Sequence, residues 1–271
     1  MDNAEQAAYY FNDLEQLLNS TQVFYFPDSY REAYRPEATN NTNVLQRSEV
    51  LKKLGNNNKK KIIVTYPEAL FEKVISQKTL KSKTLPLKMG ENIGLDFINE
   101  TLFKYDFERV NFVTQPGEFS VRGGIIDVFS FSHQHPYRIE FFDEKIESLR
   151  SFDVNTQLSI SSLSKIDLLP NTSKISFSNK RKSIIESLSD ECGLIINQLD
   201  ICLDRLGDLF KKAKKQFEAL ETTIQYPPET LFLNQQGLID ELEQKSLLLI
   251  NSSEKFRHYE KISFKQSPQP S

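Results

Sequence analysis

Short strand-forming runs follow one another closely between residues 110 and 152 of the sequence. Pro116–Gly117, Gly123–Gly124 and His133–Pro136 separate these runs. Such close spacing is typical of an antiparallel meander, because parallel strands need long crossover connections between them. We expect a helix near Ile93–Phe103 to cover the meander. The predicted strands are Val110–Thr114, Phe119–Val121, Ile125–Phe131, Tyr137–Phe142 and Lys145–Phe152.

On both sides of the meander the sequence alternates helices with strands. Ile62–Val64 is a short apolar run, and Pro67 begins a helix that is predicted to reach Ile75. A buried strand followed directly by a helix favours an α/β fold with parallel strands. After the meander, apolar residues spaced by three or four from Ile195 to Leu220 predict one long amphipathic helix.

Composition argues against several classes of protein. The chain has 34 Lys and Arg against 37 Asp and Glu, a net charge of −3 that does not favour electrostatic capture of DNA. Cys192 and Cys202 are too few for a disulfide framework, and Cys202 fits the apolar stripe of the long helix. No apolar run approaches the length of about 18 residues that a membrane span needs. We therefore expect a soluble, cytoplasmic protein without membrane contact.

Motifs for catalysis or cofactor binding are weak. The sequence contains neither the phosphate loop G-x-x-x-x-G-K-[ST] nor the dinucleotide motif G-x-G-x-x-G. His133 and His135 could belong to a metal site, but no Cys or third His lies near them, so an exposed loop is favoured. His258, among Lys and Arg residues, is also expected to be exposed. We expect no catalytic residue, no metal and no cofactor in this chain.

The predicted strand Tyr137–Phe142 has a pattern that suggests binding. Arg138, Glu140 and Phe142 should point to one face of the strand. Tyr137, Ile139 and Phe141 should point to the other face. If the second face is buried, Arg138 and Phe142 stand exposed together, as residues of protein interfaces often do. The alternative remains open that Phe142 is covered by a neighbouring helix and that Arg138 only pairs with an acidic side chain.

Residues 115–153 carry a long series of specific motifs, which continues to residue 170. The motifs are Gly117–Phe119, Val121–Phe129, Arg138–Asp143, Ile146–Arg150, Phe152–Asp153 and Ile166–Pro170. This series resembles the bacterial transcription-repair coupling factor family and, more distantly, the excinuclease protein UvrB. Weaker similarity begins near residue 10, so the resemblance covers more than the meander.

The resemblance implies a fragment from the N-terminal region of a longer protein. Its fold would be a degenerate, helicase-like α/β core of the P-loop NTPase type, with a parallel sheet and without ATPase motifs. A small antiparallel β-rich α+β domain would be inserted in this core. The implied boundaries are residues 1–88 for the first part of the core, 89–155 for the inserted domain, and 156–271 for the second part with the long helix and a C-terminal linker.

The resemblance also implies a function, because the inserted domain of this family binds UvrA, the damage-recognition protein of the excinuclease. The family's contact residues match Arg122, Arg138 and Phe142, whereas Ser120 stands where UvrB has a further arginine. We therefore expect a non-catalytic module that recruits UvrA to stalled transcription complexes for nucleotide excision repair. The alternative is a fragment of UvrB, an ATP-dependent enzyme of DNA-damage processing. ATP, magnesium, RNA polymerase and DNA are expected to bind only the full-length protein.

Overall fold

The structure, a computed structural model, describes residues 1–18, 22–29, 33–34, 39–55, 60–173, 181–220 and 226–251. Within these residues the fold is mixed α/β, with one six-stranded sheet and four strand pairs. The predicted α/β class is confirmed, while a helicase-like core stays a prediction. His258 and the expected C-terminal linker lie outside the described residues.

The region before the meander alternates helices with short strands. Its elements are α1 Ala4–Leu17, β1 Val23–Tyr25, α2 Asn41–Leu54, β2 Ile62–Val64, α3 Pro67–Phe71, β3 Val74–Ile75, α4 Gln77–Lys83 and β4 Leu85–Lys88. Strands β1 and β2 are parallel, as the pattern of the sequence predicts. The predicted helix from Pro67 to Ile75 is wrong in its second half. Val74 and Ile75 are β-branched and buried, and they pair with a later strand instead.

The meander forms the six-stranded sheet, in the order β10-β9-β8-β7-β6-β5. The elements of this part are α5 Leu95–Lys104, β5 Glu108–Arg109, β6 Glu118–Arg122, β7 Ile125–Val128, β8 Tyr137–Phe142, β9 Lys145–Phe152, β10 Ser159–Ser162 and β11 Lys165–Leu168. Neighbouring strands are antiparallel, except that β5 is parallel to β6. Strand β11 pairs with β4, outside this sheet.

One of the predicted strands of the meander is a loop. Residues 110–114 form no strand, and the short strand β5 precedes them. The carboxylate of Glu118 accepts hydrogen bonds from the backbone N–H groups of Thr114 (2.7 Å) and Gln115 (3.0 Å). Because these N–H groups are bound by a side chain, they are not available to a neighbouring strand.

The last described part returns to α/β structure. It contains β12 Arg181–Lys182, a 3-10 helix Ile185–Ser187, β13 Gly193–Asn197, α6 Leu199–Glu218, α7 Pro228–Leu231, α8 Gln235–Leu242 and β14 Ser246–Ile250. The long helix is therefore shorter than predicted at both ends. Ile195 lies on β13, which pairs in parallel with β14, and Gln198 in the left-handed region separates strand from helix. Within α6 the predicted stripe is buried at Leu199, Cys202, Leu206 and Ala213, and half-buried at Leu209 and Phe217.

Packing of α5 on the six-stranded sheet positions the surface described below. Ile98 and Leu102 of α5 are fully buried, and they belong to the same core cluster as Ile126 and Ile139 of the sheet. The ring of Phe103 meets that of Phe119 edge-on at 5.1 Å, so α5 packs on this face of the sheet. The predicted covering helix is therefore confirmed.

A buried ion pair fixes the first α/β region. Arg47 of α2 is 3% exposed and donates hydrogen bonds to the carbonyl oxygens of Pro27 (2.7 Å) and Glu72 (3.0 Å). Its guanidinium also lies 3.6 Å from the Glu72 carboxylate, which accepts a hydrogen bond from the Ser29 hydroxyl at 2.6 Å. No described helix is long and apolar enough to cross a membrane.

Candidate functional site

The face of the six-stranded sheet opposite α5 carries the residues of interest, and we call it the outer face. Directly paired residues share a face of a sheet, so the register assigns its members. From β6 to β9 they include Ser120, Arg122, Ile125, Asp127, Arg138, Glu140, Phe142, Lys145, Ser148 and Arg150. All three residues predicted as a binding site, Arg122, Arg138 and Phe142, lie on this face.

Arg138 is held firmly by one buried carboxylate. Its Nε and Nη2 donate to the two carboxylate oxygens of Asp127 at 2.7 and 2.9 Å, and Asp127 is 1% exposed. This hydrogen bonding raises the pKa of Arg138. The guanidinium also lies 4.7 Å from the centre of the buried Phe152 ring. The alternative that Arg138 pairs with an acidic side chain is therefore correct for the unbound chain.

Arg122 shares the same carboxylate but is much more accessible. Its Nη2 also binds Asp127, whereas 40% of the Arg122 side chain is exposed, against 18% for Arg138. Its guanidinium lies 5.3 Å from the ring centre of Phe112, which is itself 62% exposed. Gly123, with φ of +57°, directly follows Arg122 and allows the chain to turn into β7.

Phe142 projects from the same end of the sheet. The Phe141 N–H donates to the carbonyl oxygen of Gly124 at 2.8 Å, which brings the end of β8 beside the turn that follows Arg122. Phe142 is 73% exposed, while Ile139 on the opposite face is fully buried. The predicted alternation of β8 is thus confirmed, and the alternative that a helix covers Phe142 is wrong.

Two further outer-face charges, Glu140 and Arg150, pair with each other. Glu140 binds the guanidinium of Arg150 and accepts a hydrogen bond from Ser148 at 2.6 Å. Ser120 is 2% exposed, so the position at which UvrB is expected to carry an arginine is not accessible here. Sequence reasoning missed Asp127, because its position opposite Arg138 follows from the strand register.

The histidine pair and the cysteines do not form a second site in the described residues. His133 Nδ1 accepts a hydrogen bond from the backbone N–H of His135 at 3.1 Å. No cluster of three or more His, Cys, Asp or Glu side chains suited to a metal ion occurs there. Burial raises the pKa of the Cys202 thiol to about 12, in keeping with a core residue.

Comparison with known proteins agrees with the motifs in the sheet. Residues 85–173 match the UvrB interaction domain, a range that contains the whole outer face. The chain is 29% identical over 230 residues to the transcription-repair-coupling factor of Bacillus subtilis, covering 84% of this chain and 18% of that protein. For the same factor of Haemophilus influenzae, the identity is 31% over 153 residues, or 56% of this chain and 13% of that protein.

A third comparison gives the same result. The transcription-repair-coupling factor of Staphylococcus aureus strain RF122 is 30% identical over 169 residues, which is 62% of this chain and 14% of that protein. The chain thus spans less than a fifth of the length of these curated relatives. The resemblance predicted from the motifs is confirmed. The binding roles of Arg122, Arg138 and Phe142 and the boundaries at residues 88 and 155 stay predictions.

Proposed function

We propose that this chain is an interaction module of transcription-coupled nucleotide excision repair, and that its outer face recruits the excinuclease protein UvrA. The match of residues 85–173 to the UvrB interaction domain and the similarity to transcription-repair-coupling factors support this proposal. The observation that carries it is the exposure of Phe142, at 73%, beside a partly free arginine at the same end of the sheet.

An exposed phenylalanine of this kind can supply much of the binding energy. Transfer of a whole phenylalanine side chain out of water is worth about 1.5–3 kcal/mol, and most of Phe142 is still available for transfer. Arg122 adds a planar group that can bind a carboxylate of the partner through two parallel hydrogen bonds. Together they provide an apolar contact and a charged contact side by side.

The two arginines then have different roles in the proposed interface. Arg138 has its Nε and Nη2 bound to Asp127 of β7. Its main role is therefore to hold β8, the strand that carries Phe142, against β7. Arg122 has only Nη2 bound to Asp127 and is more exposed, so it is the arginine that contacts the partner directly. We propose no catalytic role and no cofactor for this chain. ATP, magnesium, RNA polymerase and DNA would bind other parts of the whole protein.

Calorimetric titration of the purified chain with UvrA tests the proposal. We expect a saturable complex that is weakened by Arg122→Ala and by Phe142→Ala. Absence of a complex with the unaltered chain would refute the proposed function. ATP hydrolysis by the chain alone would instead favour the alternative, a fragment of the ATP-dependent enzyme UvrB.

A further inference from the structure

We propose that Phe112 is a second aromatic anchor for UvrA, and that Phe112 and Arg122 together receive an acidic side chain of that partner. This inference rests on the proposed function and extends the binding surface to the loop of residues 110–116. Sequence patterns do not indicate it, because they predict a strand at Val110–Thr114. The structure instead presents Phe112 beside Arg122, at 5.3 Å from the guanidinium carbon to the ring centre.

The loop that carries Phe112 is held in place from both sides. Before Phe112, the N–H of Val110 donates to the carbonyl oxygen of Phe119 at 2.8 Å. After it, the Glu118 carboxylate accepts hydrogen bonds from the N–H and the hydroxyl of Thr114 at 2.7 and 3.0 Å. A carboxylate bound to backbone N–H groups makes strong hydrogen bonds, so the loop has a defined conformation.

The residue next to Phe112 fastens the loop to the outer face itself. Val113 is 1% exposed and packs in a small cluster with Phe129 and Phe152. Phe112 is 62% exposed on this fixed backbone, so its ring contributes little to the core. A large ring held at the surface can bind a partner with a small loss of conformational entropy.

The contact between Phe112 and Arg122 orients the guanidinium so that it can bind a carboxylate of the partner. A guanidinium has five N–H donors in a plane, and among the described residues Arg122 uses Nη2 in its pairing with Asp127. Contact with the aromatic ring restricts its side-chain rotamers without using those donors. The other edge of the plane thus stays available for a bidentate bond to an Asp or Glu of the partner.

The local charge also suits an acidic partner. On the outer face from β6 to β9, pairing and strand alternation place four cations and three carboxylates, namely Arg122, Arg138, Lys145, Arg150, Glu118, Asp127 and Glu140. Asp127 is shared by two of the arginines, so it leaves one positive charge uncompensated. This excess lies at the accessible Arg122, in a chain whose net charge is −3. A carboxylate flanked by apolar side chains would complement both the charge and the rings.

Titration of the full chain with purified UvrA tests this inference. We expect Phe112→Ala to weaken binding about tenfold, or about 1.4 kcal/mol, which is more than most interface residues lose on truncation. Phe112→Leu should weaken binding less, because leucine keeps part of the apolar area. Phe97→Ala is the matched control, since Phe97 is 51% exposed on α5, on the other side of the sheet, and should leave the affinity unchanged. Circular dichroism of each variant verifies its fold.

A double-mutant cycle with Arg122→Ala tests whether the two side chains act together. The combined loss should be smaller than the product of the two single losses, because each residue positions the other. Multiplicative losses would overturn the joint role. Unchanged affinity of Phe112→Ala, with Phe142→Ala weakened, would overturn this inference and leave the proposed function standing. Failure of the unaltered chain to bind would refute both, and an equal loss in Phe97→Ala would refute a specific role for Phe112.

Discussion

Replacement of Arg138 by alanine should destabilise the sheet, whereas replacement of Arg122 should mainly weaken binding. Both arginines bind the same carboxylate, that of Asp127, yet their surroundings differ. Arg138 is 18% exposed, binds both carboxylate oxygens and lies over the Phe152 ring, while Arg122 is 40% exposed. The structure therefore predicts a division of roles between two residues that the sequence motifs treat alike.

The sizes of the two effects follow from burial. Removal of one partner from a buried ion pair destabilises a protein by about 3–5 kcal/mol. For Arg138 we expect about 2–3 kcal/mol, because its side chain retains some solvent and Asp127 keeps its contact with Arg122. For Arg122 we expect about 1 kcal/mol or less, as for an exposed ion pair.

Hydrogen exchange of backbone N–H groups is the suitable assay, because it reports local stability in a chain with several structural units. Exchange at Ile126 and Ile139, both fully buried, should become faster in Arg138→Ala by the factor that corresponds to the lost free energy. The double substitution Arg138→Ala with Asp127→Ala should lose less than the sum of the single losses, since no unpaired carboxylate remains. The same exchange rates in Arg122→Ala should stay near those of the unaltered chain.

Two results would refute this reasoning. Unchanged exchange at Ile126 and Ile139 in Arg138→Ala would mean that the buried pair does not stabilise the sheet. Strictly additive losses in the cycle with Asp127 would mean that the two side chains are not coupled. In either case the separate roles of Arg122 and Arg138 would have to be abandoned.

Three further predictions concern the thiols, the buried ion pair and the glycine turn. A thiol reagent at pH 8 should label Cys192 and leave Cys202 unmodified until denaturant is added, because Cys202 is buried and its pKa is raised to about 12; labelling of both thiols in the folded chain contradicts this. Glu72→Ala should lower the free energy of unfolding by about 3–5 kcal/mol in chemical denaturation, because it removes the buried carboxylate that faces the Arg47 guanidinium; a loss below about 1 kcal/mol speaks against it. Gly124→Ala should weaken binding of UvrA in calorimetry, because its Cβ would lie 3.1 Å from the carbonyl oxygen of Phe141 and displace the end of β8; equal affinity would show that the turn adapts.

Much of the fold could be predicted because local patterns and tertiary packing agree there. The strict alternation of β8, with Ile139 inside and Phe142 outside, follows from the geometry of a strand and needs no knowledge of the partner strands. The glycine turn at Gly123 likewise requires a positive φ that the residue type already indicates. These local signals predicted which residues of β8 share a face, while the exposure of Phe142 was decided by the structure.

The failures occurred where tertiary contacts decide the structure. Val74 and Ile75 form a strand instead of the predicted helix, because Arg181–Lys182, distant in sequence, pairs with them. Residues 110–114 do not form the predicted strand, because the Glu118 carboxylate binds the backbone N–H groups of Thr114 and Gln115 at its end. Without the strand register, Asp127 could not be recognised as the carboxylate that both arginines share. For the same reason, the different roles of Arg122 and Arg138 could not be predicted.

The affinity of Phe142→Ala for UvrA tests the central claim most directly, with the unaltered chain and Phe97→Ala measured in parallel. Phe142 is exposed and remote from the core, so its loss should not disturb the fold. We predict that binding weakens by about 2 kcal/mol, or roughly thirtyfold, while Phe97→Ala binds like the unaltered chain. Equal affinity of all three proteins would contradict the claim that this end of the sheet binds the partner.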